Sequence, residues 1–318
     1  MSARYATPRS IRPEPMTARD FLGYGPETPD PLWPGGARIA VNFNLNVEGG
    51  AENSLANGDA GSEPMLNDIG EAARPGVRAP LVESVFEYGP RRGAWRLLEL
   101  FRAAGIPISV LAVGRAAELY PDLFRRFAAE GHEIVSHHYR WIDYAHLPEA
   151  EERAHVAAAI SAIAAATGRA PSGWMTGRPG QNTRRLVCEA EGLLYDRDSL
   201  ADELPWWVDP GTGRPHLVIP YSFEANDNRF DANNGFATAG QYFEYHRDAF
   251  DLMREEGLAG HPKLLSIGLH DRLIGRPGRA AGLKRLIAHM ASFGDVWFCT
   301  GADIHRHWAA TFPPDPAA

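Results

Sequence analysis

Apolar residues along this chain change period repeatedly, from short β-branched runs to the three-to-four-residue spacing of amphipathic helices. The short runs predict strands over residues 39–45, 108–113, 132–136, 173–175, 194–196, 216–219, 264–269 and 296–299. Between them, helical spacing predicts a helix from 94 to 105 with Trp95, Leu98 and Phe101 on one face, and further helices over 119–130, 148–167, 183–191, 241–256, 281–293 and 303–310. Gly105, Gly131 and Gly168 follow the first three as stop signals. Residues 1–36, rich in Pro, Gly and Arg, show no period and predict an extended N-terminal arm. Residues 49–80 predict a long loop, a length that usually marks a lid, a binding loop or a subunit contact. Short strands alternating with helices call for a mainly parallel α/β sheet. An open doubly wound sheet and a barrel both meet that description, but no Gly-x-Gly-x-x-Gly follows the first strand, so dinucleotide binding has no support.

Composition narrows the class. Of 318 residues, 44% are apolar and 23% charged, which excludes a disordered chain, and the 2 Cys exclude a disulfide scaffold. Cys188 and Cys299 fall in a predicted helix and strand and read as buried free thiols. No linker or tandem repeat divides the chain, so residues 37–318 are expected to form one domain. The net charge of −8, without a long basic run, argues against nucleic acid or an anionic membrane as partner. Residues 1–16 carry Arg4, Arg9, Arg12 and three prolines in place of an apolar stretch, so no signal peptide is expected and the protein is expected to be cytoplasmic.

Chemistry gathers at strand ends. Glu48 follows the first strand, His137 the third, Arg178 the fourth and His270 the seventh. In a barrel that edge carries the loops that build an active site, although polar residues also end strands for ordinary capping. Glu48, the carboxylate nearest the first strand's end, is the candidate general base, with a solvated loop glutamate as the alternative.

These segments resemble the polysaccharide deacetylase superfamily. The carrying motifs are Asn44-Leu45-Asn46-Val47-Glu48, Gly131-His132-Glu133-Ile134-Val135-Ser136-His137, Gly177-Arg178-Pro179-Gly180 and Leu269-His270. Within it the chain is similar to the allantoinase branch of urate catabolism, with cyclic imide hydrolases as close relatives. That likeness rests on Phe21-Leu22-Gly23-Tyr24-Gly25, Tyr139-Arg140-Trp141-Ile142-Asp143-Tyr144, Asn182-Thr183-Arg184-Arg185-Leu186 and Leu273-Ile274-Gly275-Arg276-Pro277. The resemblance implies a distorted (β/α) barrel of seven or eight strands from about Phe21 to Trp308. It also implies a homo-oligomer, a dimer or tetramer, in which one subunit's long loop covers another's site.

Metal-dependent members of the superfamily hold a divalent ion with an Asp and two His four residues apart. Here Trp141 stands four residues after His137, and the acidic positions are Asn44 and Asn46, neutral amides that ligate poorly. No cofactor is therefore expected; Glu48, His137 and His138 are the residues that would hold zinc if a metal were present, although His138 should point away from His137 if the strand continues.

Opening a cyclic amide needs an activated water, an oxyanion stabiliser and a proton for the departing nitrogen. The resemblance implies that His270 supplies that proton. His137 is a candidate for orienting water or the substrate carbonyl, and Arg178 for holding the oxyanion or locking the rim as a salt bridge. Arg272 is expected to face the same cavity, Asp271 to bind a neighbouring backbone amide, Asn46 to contact substrate, and Trp141, Trp206 and Trp207 to form an apolar wall for a planar ring, with core packing as the alternative for at least one of the three. The leading expectation is a hydrolase of non-peptide C–N bonds converting allantoin to allantoate. A cyclic imide hydrolase, a metal-dependent carbohydrate N-deacetylase and a barrel that only binds a ligand are the alternatives. Pro179, Gln181, Leu200 and Asp271 depart from the allantoinase-branch pattern and bear on which ring is bound.

Overall fold

The computed structural model describes residues 19–70, 72–231 and 235–314, together with the backbone of 12–13. Its central strand, β2 (Ile39–Val47), is buried along its whole length. Phe43, Leu45 and Val47 join the apolar layer under the helices, while Asn42, Asn44 and Asn46 alternate with them and pair inside the barrel. On one side β2 pairs in parallel with β9 (Lys263–His270). On the other it pairs first with β10 (Val296–Phe298), then with β3 (Ser109–Ala112). From β3 the parallel order continues through β4 (Glu133–Ser136), β5 (Gly173–Trp174), β6 (Tyr195–Asp196) and β8 (His216–Val218). These are the eight expected strands, and they curl into a distorted (β/α) barrel.

Two additional strands extend the far edge: β7 (Trp206–Asp209), antiparallel to β8, and β1 (Arg12–Pro13), parallel to β7. The latter falls within the expected arm, whose residues 1–11 and 14–18 lie outside the described residues. Between β8 and β9 the wall is completed by irregular chain: Gly268 donates its N–H to the Ala225 carbonyl at 2.9 Å, and Asn226 bridges Gly268.

The helices are α1 (Pro80–Tyr88), α2 (Ala94–Ala104), α3 (Gly114–Leu119), α4 (Pro121–Ala129), α5 (Glu149–Thr167), α6 (Thr183–Glu189), α7 (Ala239–Leu258), α8 (Pro277–Met290) and α9 (Gly301–Thr311). Proline at the first turn starts α1, α4 and α8, and reciprocal capping boxes start α7 (Thr238 with Gln241) and α9 (Thr300 with Asp303). A capping side chain of this kind contributes about 1 kcal/mol. α1 and α3 are additional to the expected helices, and a π-helical turn over Gly89–Gly93 joins α1 to α2. Cys188 and Cys299 are buried and free. No helix among the described residues is long and apolar enough to cross a membrane.

Candidate active site

Glu48 stands one residue beyond β2, fully buried, at the carboxyl-terminal edge of the barrel. Gly49 follows it because a Cβ there would lie 2.5 Å from the Phe86 carbonyl of α1, so the chain can turn tightly only without a side chain. Both carboxylate oxygens of Glu48 are engaged. Oε1 lies 3.1 Å from His137 Nε2 and 3.7 Å from His270 Nε2, while Arg272 Nη1 donates to Oε2 at 2.5 Å. Burial alone would raise the Glu48 carboxyl, but the Arg272 guanidinium, with His270 and His137 beside it, holds it well below the usual carboxylate range. Glu48 is therefore an ionised, oriented acceptor.

The two imidazoles are fixed from behind. His137 continues β4 by donating its N–H to the Ala112 carbonyl, and its Nδ1 lies 2.8 Å from the Met175 carbonyl, leaving Nε2 toward Glu48. His270 ends β9, and its Nδ1 lies 2.6 Å from Asp227 Oδ1. The other Asp227 oxygen accepts the backbone N–H groups of His270 at 2.7 Å and Ile274 at 3.1 Å. Asp227 thus sets both ring tautomer and backbone at His270, so that Nε2 faces Glu48. Sequence reasoning missed Asp227. It lies in a single 3-10 turn, Asp227–Phe230, within irregular chain, and its one local signal is Asn226, whose side chain caps that turn.

Arg272 is fully buried against the faces of Phe86 and Trp141, with its guanidinium carbon 4.3 and 5.0 Å from the ring centres, and its Nε donates to the Leu66 carbonyl at 2.8 Å. Arg178 also lies over Trp141, at 4.2 Å, and donates to the Trp141 carbonyl at 2.7 Å and to Glu63 at 3.3 Å. Arg272 Nη2 and Arg178 Nε have no partner among the described residues. Glu63 and Leu66 belong to the segment 49–79, so this loop packs over its own subunit's barrel.

Several expected neighbours lie elsewhere. Asn46 spends its amide on the Leu269 carbonyl at 2.9 Å and the Tyr221 hydroxyl at 3.1 Å, inside the barrel wall. Trp141 is buried beneath two guanidinium groups and serves as their platform, in place of the expected open wall for a ring. Trp206 and Trp207 are held in β7; Trp207 donates Nε1 to the Phe312 carbonyl at 2.8 Å, and neither joins the Glu48 cluster. His138, at φ 62°, turns away from Glu48 and stacks on Tyr144 with ring centres 3.7 Å apart. Asp271 is fully buried with the Arg272 backbone amide beside its carboxyl, and burial pushes that carboxyl up to about 8.

The structure does not bring the three expected metal ligands, Glu48, His137 and His138, together. His138 is withdrawn, Trp141 replaces the second imidazole, and the Arg272 cation already occupies one face of Glu48. Among the described residues no group of three or more His, Cys, Asp or Glu side chains is placed to hold a metal.

The family profile of the polysaccharide deacetylases matches residues 75–195. A Schizosaccharomyces pombe protein assigned by name to the polysaccharide deacetylases is 40% identical over 298 residues, covering 88% of this chain and 93% of its own. The chain belongs to the polysaccharide deacetylase family, a family of hydrolases. Among solved structures it is similar to PuuE allantoinase, at 50% identity and a TM-score of 0.91, covering 93% of this chain and 98% of that one. It is equally similar to a Pseudomonas aeruginosa PAO1 protein that carries a polysaccharide deacetylase name, at 50% identity and a TM-score of 0.90, covering 93% and 99%.

Proposed function

We propose that this chain is a hydrolase of non-peptide C–N bonds that opens a small cyclic amide, allantoin to allantoate first among substrates. The observation that carries the reading is the convergence on Glu48 of His137 and His270, the latter backed by Asp227, in a chain 50% identical to an allantoinase over nearly its whole length. The gap of 3.7 Å between His270 Nε2 and Glu48 Oε1 is too long for a hydrogen bond, so His270 Nε2 is left to face a reacting centre beside the carboxylate. In the reaction proposed, Glu48 Oε1 accepts a proton from water as its oxygen attacks the ring carbonyl. His137, whose Nε2 lies 3.1 Å from Oε1, holds that carboxylate in place for the water. The unpartnered N–H groups of Arg272 and Arg178 receive the developing oxyanion. With Nδ1–H held by Asp227, His270 enters this step with a second proton on Nε2, which it gives to the departing ring nitrogen as the C–N bond breaks; the proton taken up by Glu48 then returns to Nε2 and resets the site.

The donor set supports a mechanism that runs on these side chains without a metal, and argues against a metal-dependent carbohydrate deacetylase. A homo-oligomer and a cytoplasmic location belong to the same proposal, the first checked by light scattering of the eluting protein. The test of function is an assay of ring opening with allantoin, succinimide and a dihydropyrimidine, with and without chelator. Chelator-resistant opening of allantoin is expected. Preference for succinimide moves the substrate to cyclic imides, and turnover restored only by zinc overturns the metal-free reading.

A further inference from the structure

The 3-10 turn that begins at Asp227 ends on Asp231, whose N–H donates to the Asn228 carbonyl at 3.0 Å. Asp227, at the start of the turn, holds His270. Asp231, at its end, reaches a different part of the site: its Oδ2 accepts the backbone N–H of Leu66 at 2.7 Å, across 165 residues of chain. Asp231 is half-buried, and no step of the reaction set out above uses it.

Leu66 has a φ of 52°, in the left-handed region that a residue with a Cβ seldom adopts unless its surroundings over-determine it. Here both of its backbone polar groups are claimed by charged side chains. The N–H goes to the Asp231 carboxylate, and the carbonyl receives Arg272 Nε at 2.8 Å. The next two residues brace that arrangement. Asn67, fully buried, donates Nδ2 to the Glu63 carbonyl at 2.9 Å and accepts the Ile69 N–H at 2.9 Å. Asp68, at φ 61°, pairs with Arg279 at 2.7 Å, and that guanidinium carbon lies 4.6 Å from the ring centre of Phe230, in the same turn as Asp227.

From Arg272 the line continues to Glu48, because Nη1 donates to Oε2 at 2.5 Å. The faces of Phe86 and Trp141 restrain the guanidinium from above and below but leave it free to slide between them. Its position along those faces is set by hydrogen bonds to the Leu66 carbonyl and to Glu48 itself, and its Nη2 has no partner among the described residues. We infer that Asp231 is a positioning residue: by holding the Leu66 peptide it fixes Arg272, and through Arg272 the aim of the Glu48 carboxylate. One turn then sets the acid through Asp227 and the base through Asp231. The inference rests on the reading of Glu48 as the general base. A carboxylate suits the role, since a charge-assisted bond to the Leu66 N–H polarises the chain of hydrogen bonds that leads to the guanidinium.

The test compares Asp231→Ala and Asp231→Asn with the unaltered protein. The side chain is half-buried on a turn, so its loss leaves the apolar core intact, and asparagine keeps an oxygen for the Leu66 N–H. In Asp231→Ala, kcat for ring opening should fall at least about tenfold while KM changes less than about threefold, because the aim of the base matters to the chemical step. Asp231→Asn should recover most of that kcat. Crystal structures of both variants read the geometry without turnover. In the alanine variant the Leu66 peptide should leave its place and the separation of Arg272 and Glu48 should lengthen beyond about 3.2 Å, and in the asparagine variant both should stay. Unchanged kcat in Asp231→Ala, or Leu66 and Arg272 at their native positions in that variant, overturns the inference. An unaltered protein that opens no cyclic amide removes the proposed function, and the crystal comparison still decides whether Asp231 holds Arg272.

Discussion

Replacing Arg272 by methionine tests the electrostatics of the site at its strongest point. Arg272 and Glu48 are both fully buried and 2.5 Å apart, so methionine keeps most of the apolar stem but leaves Glu48 without its cation. Removing one partner of a buried pair costs about 3–5 kcal/mol. The pH dependence follows from the direction of the shift. In the native protein the Glu48 carboxyl is held below its unfolded value of about 4.3, so its contribution is complete above that value and is lost only as pH falls through the lower folded value. In Arg272→Met burial dominates and lifts the carboxyl above its unfolded value. The variant should then lose further stability as pH rises from about 5 to 8, where the Glu48 contribution in the native protein is constant. Urea titrations across that range read the difference, and Glu48→Gln added to Arg272→Met should recover much of the loss. A cost below about 1 kcal/mol at neutral pH, or no recovery in the double variant, would refute the reasoning.

Three further outcomes follow from the same geometry. His270→Ala should lower kcat by at least about 100-fold with a much smaller change in KM, and Asp227→Asn, which removes the carboxylate at Nδ1, should lower it by at least about tenfold; steady-state kinetics checks both. Asp271, raised to about 8 by burial, keeps a proton that the unfolded chain releases above about pH 4, so it makes the protein less stable as pH rises from about 4 to 8. Asp271→Asn should flatten that decline when unfolding midpoints are compared at about pH 5 and pH 8.5. Gly275→Ala should destabilise by about 1–3 kcal/mol or more, because its Cβ would lie 2.0 Å from the Asp271 carbonyl oxygen; a thermal unfolding scan tests it.

The barrel was legible in the sequence because most of its parallel strands are short apolar runs separated by helices, three of which end at a glycine. The inward alternation of Asn42, Asn44 and Asn46 against Phe43, Leu45 and Val47 likewise sits in nine consecutive residues. Glu48, His137 and His270 could be placed on one edge because strand ends count them out. Their partners could not. Asp227 meets His270 across 43 residues and Glu63 meets Arg178 across 115, from irregular segments that carry no period. Trp206 and Trp207 were misplaced because an aromatic pair reads equally as a ligand wall and as a strand, and the antiparallel pairing of β7 with β8 is a tertiary choice. Trp141 shows the same limit: its position was readable, but the guanidinium groups stacked on it come from Arg178 and Arg272.

The central claim is that a water activated at Glu48 opens a cyclic amide whose nitrogen is protonated by His270. Turnover of allantoin in oxygen-18 water, with mass spectrometry of the product, tests it most directly on the unaltered protein and on Glu48→Gln and His270→Ala. One labelled oxygen should enter the new carboxylate of allantoate, at a chelator-independent rate reduced at least about 100-fold in either variant. Absence of labelled allantoate with the unaltered protein, or full-rate labelling in both variants, would contradict the account.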